Sequence, residues 1–402
     1  MSFLRNNACY IFIAMWMMYY LQELLMITGI IAQSILVLLM LMSFYAFFQV
    51  NIHYRIGPYF KWLNGLLLVI TLYGLILFFS GFALYPDEFN LNTSLEFGYL
   101  QRIYTSVLPI YAFYFFTLQG DFNEKNMKFL FMAFLLFSII MYNQNFFLVS
   151  GEIEKEEITN NMGYVFVPLI PMLGLFKMKD LWKYIFLIII YAYIMMAMKR
   201  GAILVGTIAL FLYMKRHLRA RTTEQIIYIL FLSVAAICLI YLFVMNLYET
   251  SDYFKIRVNS TLEGDTSTRS WMYPFYFDYF IHRTSGWEFL FGCGANATYL
   301  RLGNNAHNDW LEFAINQGVF GVILYLFYWV FYVREWNSYC GPIEFKQTLG
   351  DFIIIYFLVS LFSMSIDGMP TVTALCVGYC LAQNEKAKRK IILKTGQTFI
   401  YK

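Results

Sequence analysis

The chain has 402 residues; 60% of them are hydrophobic and only 13% are charged. A soluble protein of this length needs far more charge to cover its surface, so the composition excludes an ordinary soluble domain and points to a lipid bilayer. The net charge of +4 is small; it gives no basis for a nucleic-acid partner, and the distribution of the charges matters more than their sum.

Apolar runs recur from end to end, and many approach the roughly 20 residues needed to cross a bilayer. In chain order they lie near 8–21, 24–50, 62–83, 104–119, 129–149, 162–176, 184–198, 201–214, 225–247, 310–333, 349–365 and 371–382. The first run has no small-residue cleavage site after it, so it is expected to be a span and not a signal peptide. The predicted fold is therefore an all-α polytopic membrane protein with about 12 transmembrane helices.

Orientation follows from lysine and arginine. With the N-terminus in the cytoplasm, the inner side holds roughly 20 Lys/Arg against 8 acids and the outer side roughly 9 against 17. Lys215, Arg216, Arg219 and Arg221 fall inside, as does the tail with Lys386, Lys388, Arg389 and Lys390, whereas Asp87, Glu88 and the acidic run 152–157 fall outside. The basic tail also suits contact with anionic lipid headgroups. Cys9, Cys238, Cys376 and Cys380 lie in apolar runs, Cys340 in an inner loop, and Cys293 alone outside, so no disulfide framework is expected. The sequence has no CxxC or HExxH pattern, so neither a metal nor another cofactor is expected.

Two places break the pattern. Lys199 and Arg200 are paired cations in a turn that should face outward. The other is the stretch 248–309, a long external loop within what otherwise reads as one integral membrane domain, 1–402. Loops of that length in a compact protein are usually functional or separately folded. This one contains Arg269 and Trp271, then Gly292-Cys-Gly294, then His307-Asn308-Asp309-Trp310. Nine residues separate Asn308 from Gly318, and two more separate Gly318 from Gly321.

In these residues the chain resembles the O-antigen ligase and polymerase superfamily. Its ligase branch is marked by His, then Asn, Ser or Gln, nine residues, Gly, two residues, and Gly, Thr or Tyr. Arg200 with Leu204 looks like the family's Arg-x-x-x-Leu element, and Arg269 and the Gly292/Gly294 turn fall where the family has an arginine and a GxG. The resemblance spans 199–321. It implies a fold of the membrane glycosyltransferase C type in a bacterial cytoplasmic membrane, with an active site on the external face. Donor and acceptor would be undecaprenyl-diphosphate-linked glycans, with a chain-length regulator as a further partner.

Such chemistry breaks the bond between an anomeric carbon and a lipid diphosphate. Negative charge grows on the leaving group, so catalysis needs fixed positive charge there. Arginine forks suit phosphate, which makes Arg200, Arg269 and Lys199 candidates for diphosphate binding and Arg283 a further one. His307 is the candidate base for the acceptor hydroxyl. It precedes a helix whose N-terminus favours anions and keeps a nearby imidazole neutral. A phosphate contact is the alternative role for His307, and Asp309 and Glu312 are rival bases. Asn308, Trp271, Gly292 and Gly294 are supporting residues.

Plainer readings stand beside these. Lys199 and Arg200 suit a snorkelling span-end anchor, Arg269 and Arg283 surface ion pairs, His307 a helix-end polar residue, and the two glycines a structural turn. The functional expectation is a repeat-unit polymerase for O-antigen or capsule, with a ligase delivering glycan to lipid A core as the alternative. A solute or glycan transporter is the rival class. Transporters tend to carry ionisable residues inside their spans, and the spans drawn here hold almost none.

Overall fold

The computed structural model describes residues 2–22, 27–54, 56–84, 95–148, 161–219, 269–366 and 371–395, with isolated positions between 238 and 259. Among these, the regular elements are all helical. They are α1 (Ser2–Leu21), α2 (Gly29–His53), α3 (Pro58–Leu84), α4 (Leu95–Gln119), α5 (Glu124–Leu148), α6 (Gly163–Phe166), α7 (Leu169–Met172), α8 (Asp180–Met196) and α9 (Arg200–Arg219). After residue 268 come α10 (Arg269–Asp278), a π-helical turn at Tyr279–Arg283, α11 (Gly286–Phe291), α12 (Ala297–Leu302), α13 (Asp309–Asn337), α14 (Ile343–Phe362) and α15 (Thr371–Thr395).

Five of the described helices carry a stretch long and apolar enough to cross a membrane: α2, Pro58–Phe79 of α3, Glu124–Gln144 of α5, α13 and α14. Their outward faces bear large apolar side chains. On α3 these are Leu68, Leu72, Leu75, Ile76 and Phe79, and on α2 they include Val37, Leu38, Leu41, Tyr45 and Phe48. Water would not tolerate stripes of this length, whereas lipid chains solvate them. The chain is thus a helical protein built for a membrane.

Three of the predicted spans need comment. The run 162–176 is not one helix: α6 and α7 are four residues each, because Pro168 and Pro171 remove amide donors and crowd the preceding turn. The run 225–247 lies outside the described residues apart from isolated positions, as does most of 248–268. The last run extends well past its apolar part, since α15 continues through Asn384, Lys388 and Arg389 to Thr395.

Contacts divide the chain into two units, Met1–Phe122 with Arg269–Lys402, and Asn123–Thr268. In the second unit α8 and α9 pack around α6 and α7. Phe166 stacks on Tyr193 at 5.1 Å, and a Cβ on Gly163 would come within 3.1 Å of those of Ala197 and Ala202. In the first unit α15 is the central helix, with every residue from Val372 to Ala382 other than Gly378 buried in the apolar core or, like Thr373, as a buried polar group. It lies closely on α4: a Cβ on Gly378 would fall 2.5 Å from the Ile110 carbonyl oxygen. Small residues at helix crossings allow such approach where no water drives association.

An aromatic seam joins α3 to α13. Tyr59 meets Tyr332 at 4.6 Å, and Trp62 stacks on Phe327 and Phe331 at 4.7 and 5.2 Å. At one end of this seam Lys388 Nζ bonds Glu335 Oε1 at 2.7 Å with both side chains buried, and Asn384 Nδ2 donates to the same oxygen at 2.8 Å. Buried, paired and further hydrogen-bonded, the charges satisfy the conditions under which an interior ion pair is tolerated.

The α4–α15 contact makes a direct test. Gly378→Ala should lower the thermal midpoint of the detergent-purified protein, by the equivalent of about 1–3 kcal/mol, because the new methyl meets backbone that cannot swing away. Gly65→Ala on α3, where a Cβ would meet nothing within 4 Å, should leave the midpoint unchanged or slightly higher.

Candidate functional site

The Gly292-Cys-Gly294 turn and the residues from His307 to Gly321 meet at the N-terminal third of α13. That helix starts at an N-cap: Asn308 accepts from the Leu311 amide at 3.2 Å through its side chain. It then runs for nine residues and breaks. Gly318 takes φ 68°, ψ −164°, well outside the helical region, and the helix resumes toward Asn337. The nine-residue interval between Asn308 and Gly318 therefore sets the length of a short half-helix, about 13 Å long.

A break of this kind strips the preceding turn of its i+4 amides, and an unpaired carbonyl in apolar surroundings costs several kcal/mol. The Gly292-Cys-Gly294 turn supplies replacements. Cys293 N–H donates to the Ile315 carbonyl at 2.8 Å and Gly294 N–H to that of Asn316 at 3.0 Å. Backbone meets backbone here. A Cβ on Gly292 would lie 2.3 Å from Asn316 O, and one on Gly318 would lie 2.5 Å from Gly292 N. Gly321, one turn on, would place a Cβ 2.3 Å from that of Gln317. Each of these glycines thus has a physical reason, and the two separated motifs are two sides of one contact.

The loop before α13 folds as a cap of short helices on this half-helix. Met272, Tyr276, Phe280, Ala297 and Ala306 form a core with Ala314 and Ile315 of α13. Ser285 and Glu288 close a reciprocal capping box at the start of α11. The Ser285 amide donates to Glu288 Oε2 at 2.9 Å, and Arg301 Nη1 meets Glu288 Oε1 at 2.7 Å, tying α11 to α12. Tyr276 donates to the Asn304 carbonyl at 2.9 Å, and burial, helped by the Glu312 charge, raises its phenol above the ordinary value.

His307 sits where cap and half-helix join. It is half-buried and has φ 49°, a left-handed conformation that costs a non-glycine residue about 1–3 kcal/mol and survives only where neighbours enforce it. The enforcement is visible on three sides. The Ala306 amide donates to Glu312 Oε1. The His307 carbonyl accepts from the Tyr273 hydroxyl at 3.1 Å. Asn308 Nδ2 donates to the Leu361 carbonyl at the end of α14 at 2.7 Å.

Two carboxylates lie beneath this turn. Asp309 is buried and accepts from the Tyr325 hydroxyl at 2.8 Å, from the Ser365 amide at 3.1 and 3.0 Å, and from the Ser365 hydroxyl. Glu312 is buried and accepts from the Ala306 amide, the Thr298 hydroxyl and, at 3.3 Å, Asn316 Nδ2. With Asn316, Gln317 and Tyr99 they line a cavity of about 30 Å³, which has room for ordered water but not for a sugar. Of the spans drawn from the sequence, 310–333 holds Glu312 and 349–365 holds Asp351, while Asp309 and Glu335 lie just beyond the ends of 310–333; in the structure all four are buried in long helices.

The remaining candidates divide. Arg269 opens α10, one turn before Tyr273 and so on the same face of the helix; its side chain lies outside the described residues. Trp271 is on α10 and exposed. Arg283 is engaged elsewhere: its Nε meets Asp278 Oδ2 at 3.2 Å and its guanidinium lies 5.6 Å from the Phe275 ring centre, as a surface ion pair would. Lys199 and Arg200 belong to the second unit, where Arg200 opens α9 with an exposed side chain. Sequence reasoning missed Asn316, Gln317, Thr298, Tyr325 and Ser365. The spacing of Asp309, Glu312 and Asn316, three and then four apart, was a readable sign of one polar helix face.

A matched pair of variants tests the motif contact. Gly303 takes φ 80°, ψ −5° with open space around it, whereas Gly292 takes φ 83°, ψ 174°, a region almost confined to glycine, and would place a Cβ against backbone. Gly303→Ala should cost about 1 kcal/mol of backbone strain in thermal unfolding. Gly292→Ala should cost several times more, from strain and contact together, and strip the fold of its cap.

No family model matches this chain, and no curated protein matches it.

Proposed function

We propose that the protein is a glycosyltransferase that polymerises lipid-linked oligosaccharide repeat units, moving a glycan from undecaprenyl diphosphate onto the next lipid-linked unit. The observation that carries this reading is the His307 turn, half-exposed, strained, and pinned from three sides. Backbone strain maintained at such cost marks positions where geometry matters more than stability. His307 immediately precedes the N-cap of α13, at the end of a helix whose dipole favours anions.

In this reading His307 takes the proton of the acceptor hydroxyl. Asp309 and Glu312, already saturated with hydrogen-bond donors, serve as supports and not as bases. Arg269, on the Tyr273 face of α10, supplies positive charge to the departing diphosphate, and Lys199 and Arg200 stay candidates for that role on their sequence pattern alone. Arg283 drops to a minor role, since its charge is already met by Asp278. The finer architecture belongs to the same proposal: about 12 spans, a glycosyltransferase C-like bundle, a bacterial inner membrane, and the cap on the external face. The end of α13 that carries His307 is the end remote from Glu335, Lys388 and Arg389, in accord with basic residues inside.

A second reading has one observation in its favour. Broken helices with buried carboxylates beside a small polar cavity are the usual cation sites of carriers. Against it, the carbonyls of Ile315 and Asn316 already accept from Cys293 and Gly294, which closes the position a cation would occupy.

Surface polysaccharide from cells carrying His307→Ala, Arg269→Ala or Arg200→Ala decides between them, with protein level checked in each. The expected outcome is single repeat units on the anchor and loss of long chains by 10²-fold or more for His307→Ala. Full-length glycan stranded on undecaprenyl diphosphate would instead mark the ligase alternative. Normal polymer from all three variants would remove the transferase assignment.

A further inference from the structure

Helix α11 presents one apolar face to the outside. Trp287, Leu290 and Phe291, at i, i+3 and i+4, are 74%, 47% and 44% exposed. The opposite side is spent on the protein: Phe289 stacks on Phe280 at 4.9 Å, and Glu288 is held by Ser285 and Arg301. A six-residue helix that ties its charged group inward and leaves a tryptophan and two large apolar side chains outward has the wrong polarity for water.

The position of this face says what covers it. The Tyr73 hydroxyl on α3 donates to the Phe291 carbonyl, and the Phe291 ring lies 6.3 Å from that of Phe320 on α13. Both neighbours belong to membrane-length helices, and both bear outward apolar stripes: Leu72, Leu75, Ile76 and Phe79 on α3, and Phe320, Ile323, Phe327 and Val330 on α13. The α11 face adjoins both stripes through these two contacts of Phe291.

Heights agree as well. Gly57, just before α3, lies against Glu335, which fixes a common floor for the two helices. From there Tyr73 on α3 is sixteen residues along and Phe320 on α13 fifteen, or about 22–24 Å. The hydrocarbon layer is about 30 Å thick, so α11 meets both spans in its upper part, below the headgroups of the leaflet that lies farther from Lys388 and Arg389.

We propose that α11 is a membrane-immersed element of the cap, whose Trp287-Leu290-Phe291 face docks on the acyl-chain and headgroup boundary of the bilayer. The partner is the lipid itself. Tryptophan and tyrosine favour that boundary because one end of each ring is apolar and the other polar. The cap is thereby anchored at two points, by the Gly292-Cys-Gly294 turn to the broken helix and by α11 to lipid. This inference rests on the membrane character of the helices alone, so it stands or falls separately from the transferase reading.

The test uses the full chain reconstituted in lipid vesicles, compared with Trp287→Phe, so that the difference in emission isolates Trp287 among the eight tryptophans. Vesicles of acyl-brominated phosphatidylcholine should extinguish most of the Trp287 component, and aqueous iodide should leave it largely intact. Quenching by iodide with none by bromolipid would show a water-facing helix and overturn the proposal. Protection from both quenchers would mean that a second copy or another protein covers the face, which also overturns it. Leu290→Trp provides an independent probe on the same face if Trp287→Phe does not fold: its added emission should be lost to bromolipid in the same way, and quenching by iodide would again overturn the proposal.

Discussion

A carbonyl released from a helix inside an apolar slab has no water to turn to, and this constraint organises the described part of the site. Gly318 breaks α13. The freed acceptors at Ile315 and Asn316 must find donors within the protein, and they find the amides of Cys293 and Gly294. Those amides reach them only because residues 292 and 318 lack side chains, so the loop, the break and the glycines are parts of one solution. Everything beyond it follows. The short half-helix can carry Asp309, Glu312 and Asn316 on a buried face, Glu312 can hold the Ala306 amide, and the turn bearing His307 is fixed.

Rigid support of this kind is what a reacting group needs. A side chain on a mobile loop loses rate to entropy, whereas one held by several independent contacts keeps its geometry. His307 has backbone strain on one side and three hydrogen-bonded neighbours on the others. Each contact comes from a different element: Glu312 from the half-helix, Tyr273 from the cap, and Leu361 from the end of α14. The expected energetic signature is a site whose supports cost more to remove than its exposed residues do. Exposed Trp271 and the Asp278–Arg283 pair contribute little to stability, while buried Asp309 and Glu312, if left as lone charges by loss of their donors, would be expensive.

Much of this was legible in the sequence, for definite reasons. Apolar runs of about 20 residues read as spans because nothing else tolerates them, and α2, α13 and α14 follow. The spacing from His307 to Gly321 was readable as a pattern, and so were Gly292 and Gly294. What the sequence could not display was that the two patterns touch, since a helix break is decided by tertiary donors and not by local propensity. Gly318 alone reads as a tolerated helical glycine. The surface reading of Arg283 was open in the sequence, but its partner was not: Asp278 lies five residues back, and that spacing pairs only because the segment becomes π-helical. The division at Pro168 and Pro171 was readable, but the surrounding apolar run outweighed it.

The account stands on the two hydrogen bonds that join the GxG turn to the broken helix. Hydrogen–deuterium exchange of the protein in detergent or nanodiscs, followed on peptides that cover residues 291–296, reads them directly. Amides at Cys293 and Gly294 bonded to Ile315 and Asn316 should exchange far more slowly than free amides, with protection like that of α13 itself. Exchange of both at the unprotected rate would contradict the account, because the break in α13 would then have no donors and the His307 turn no foundation.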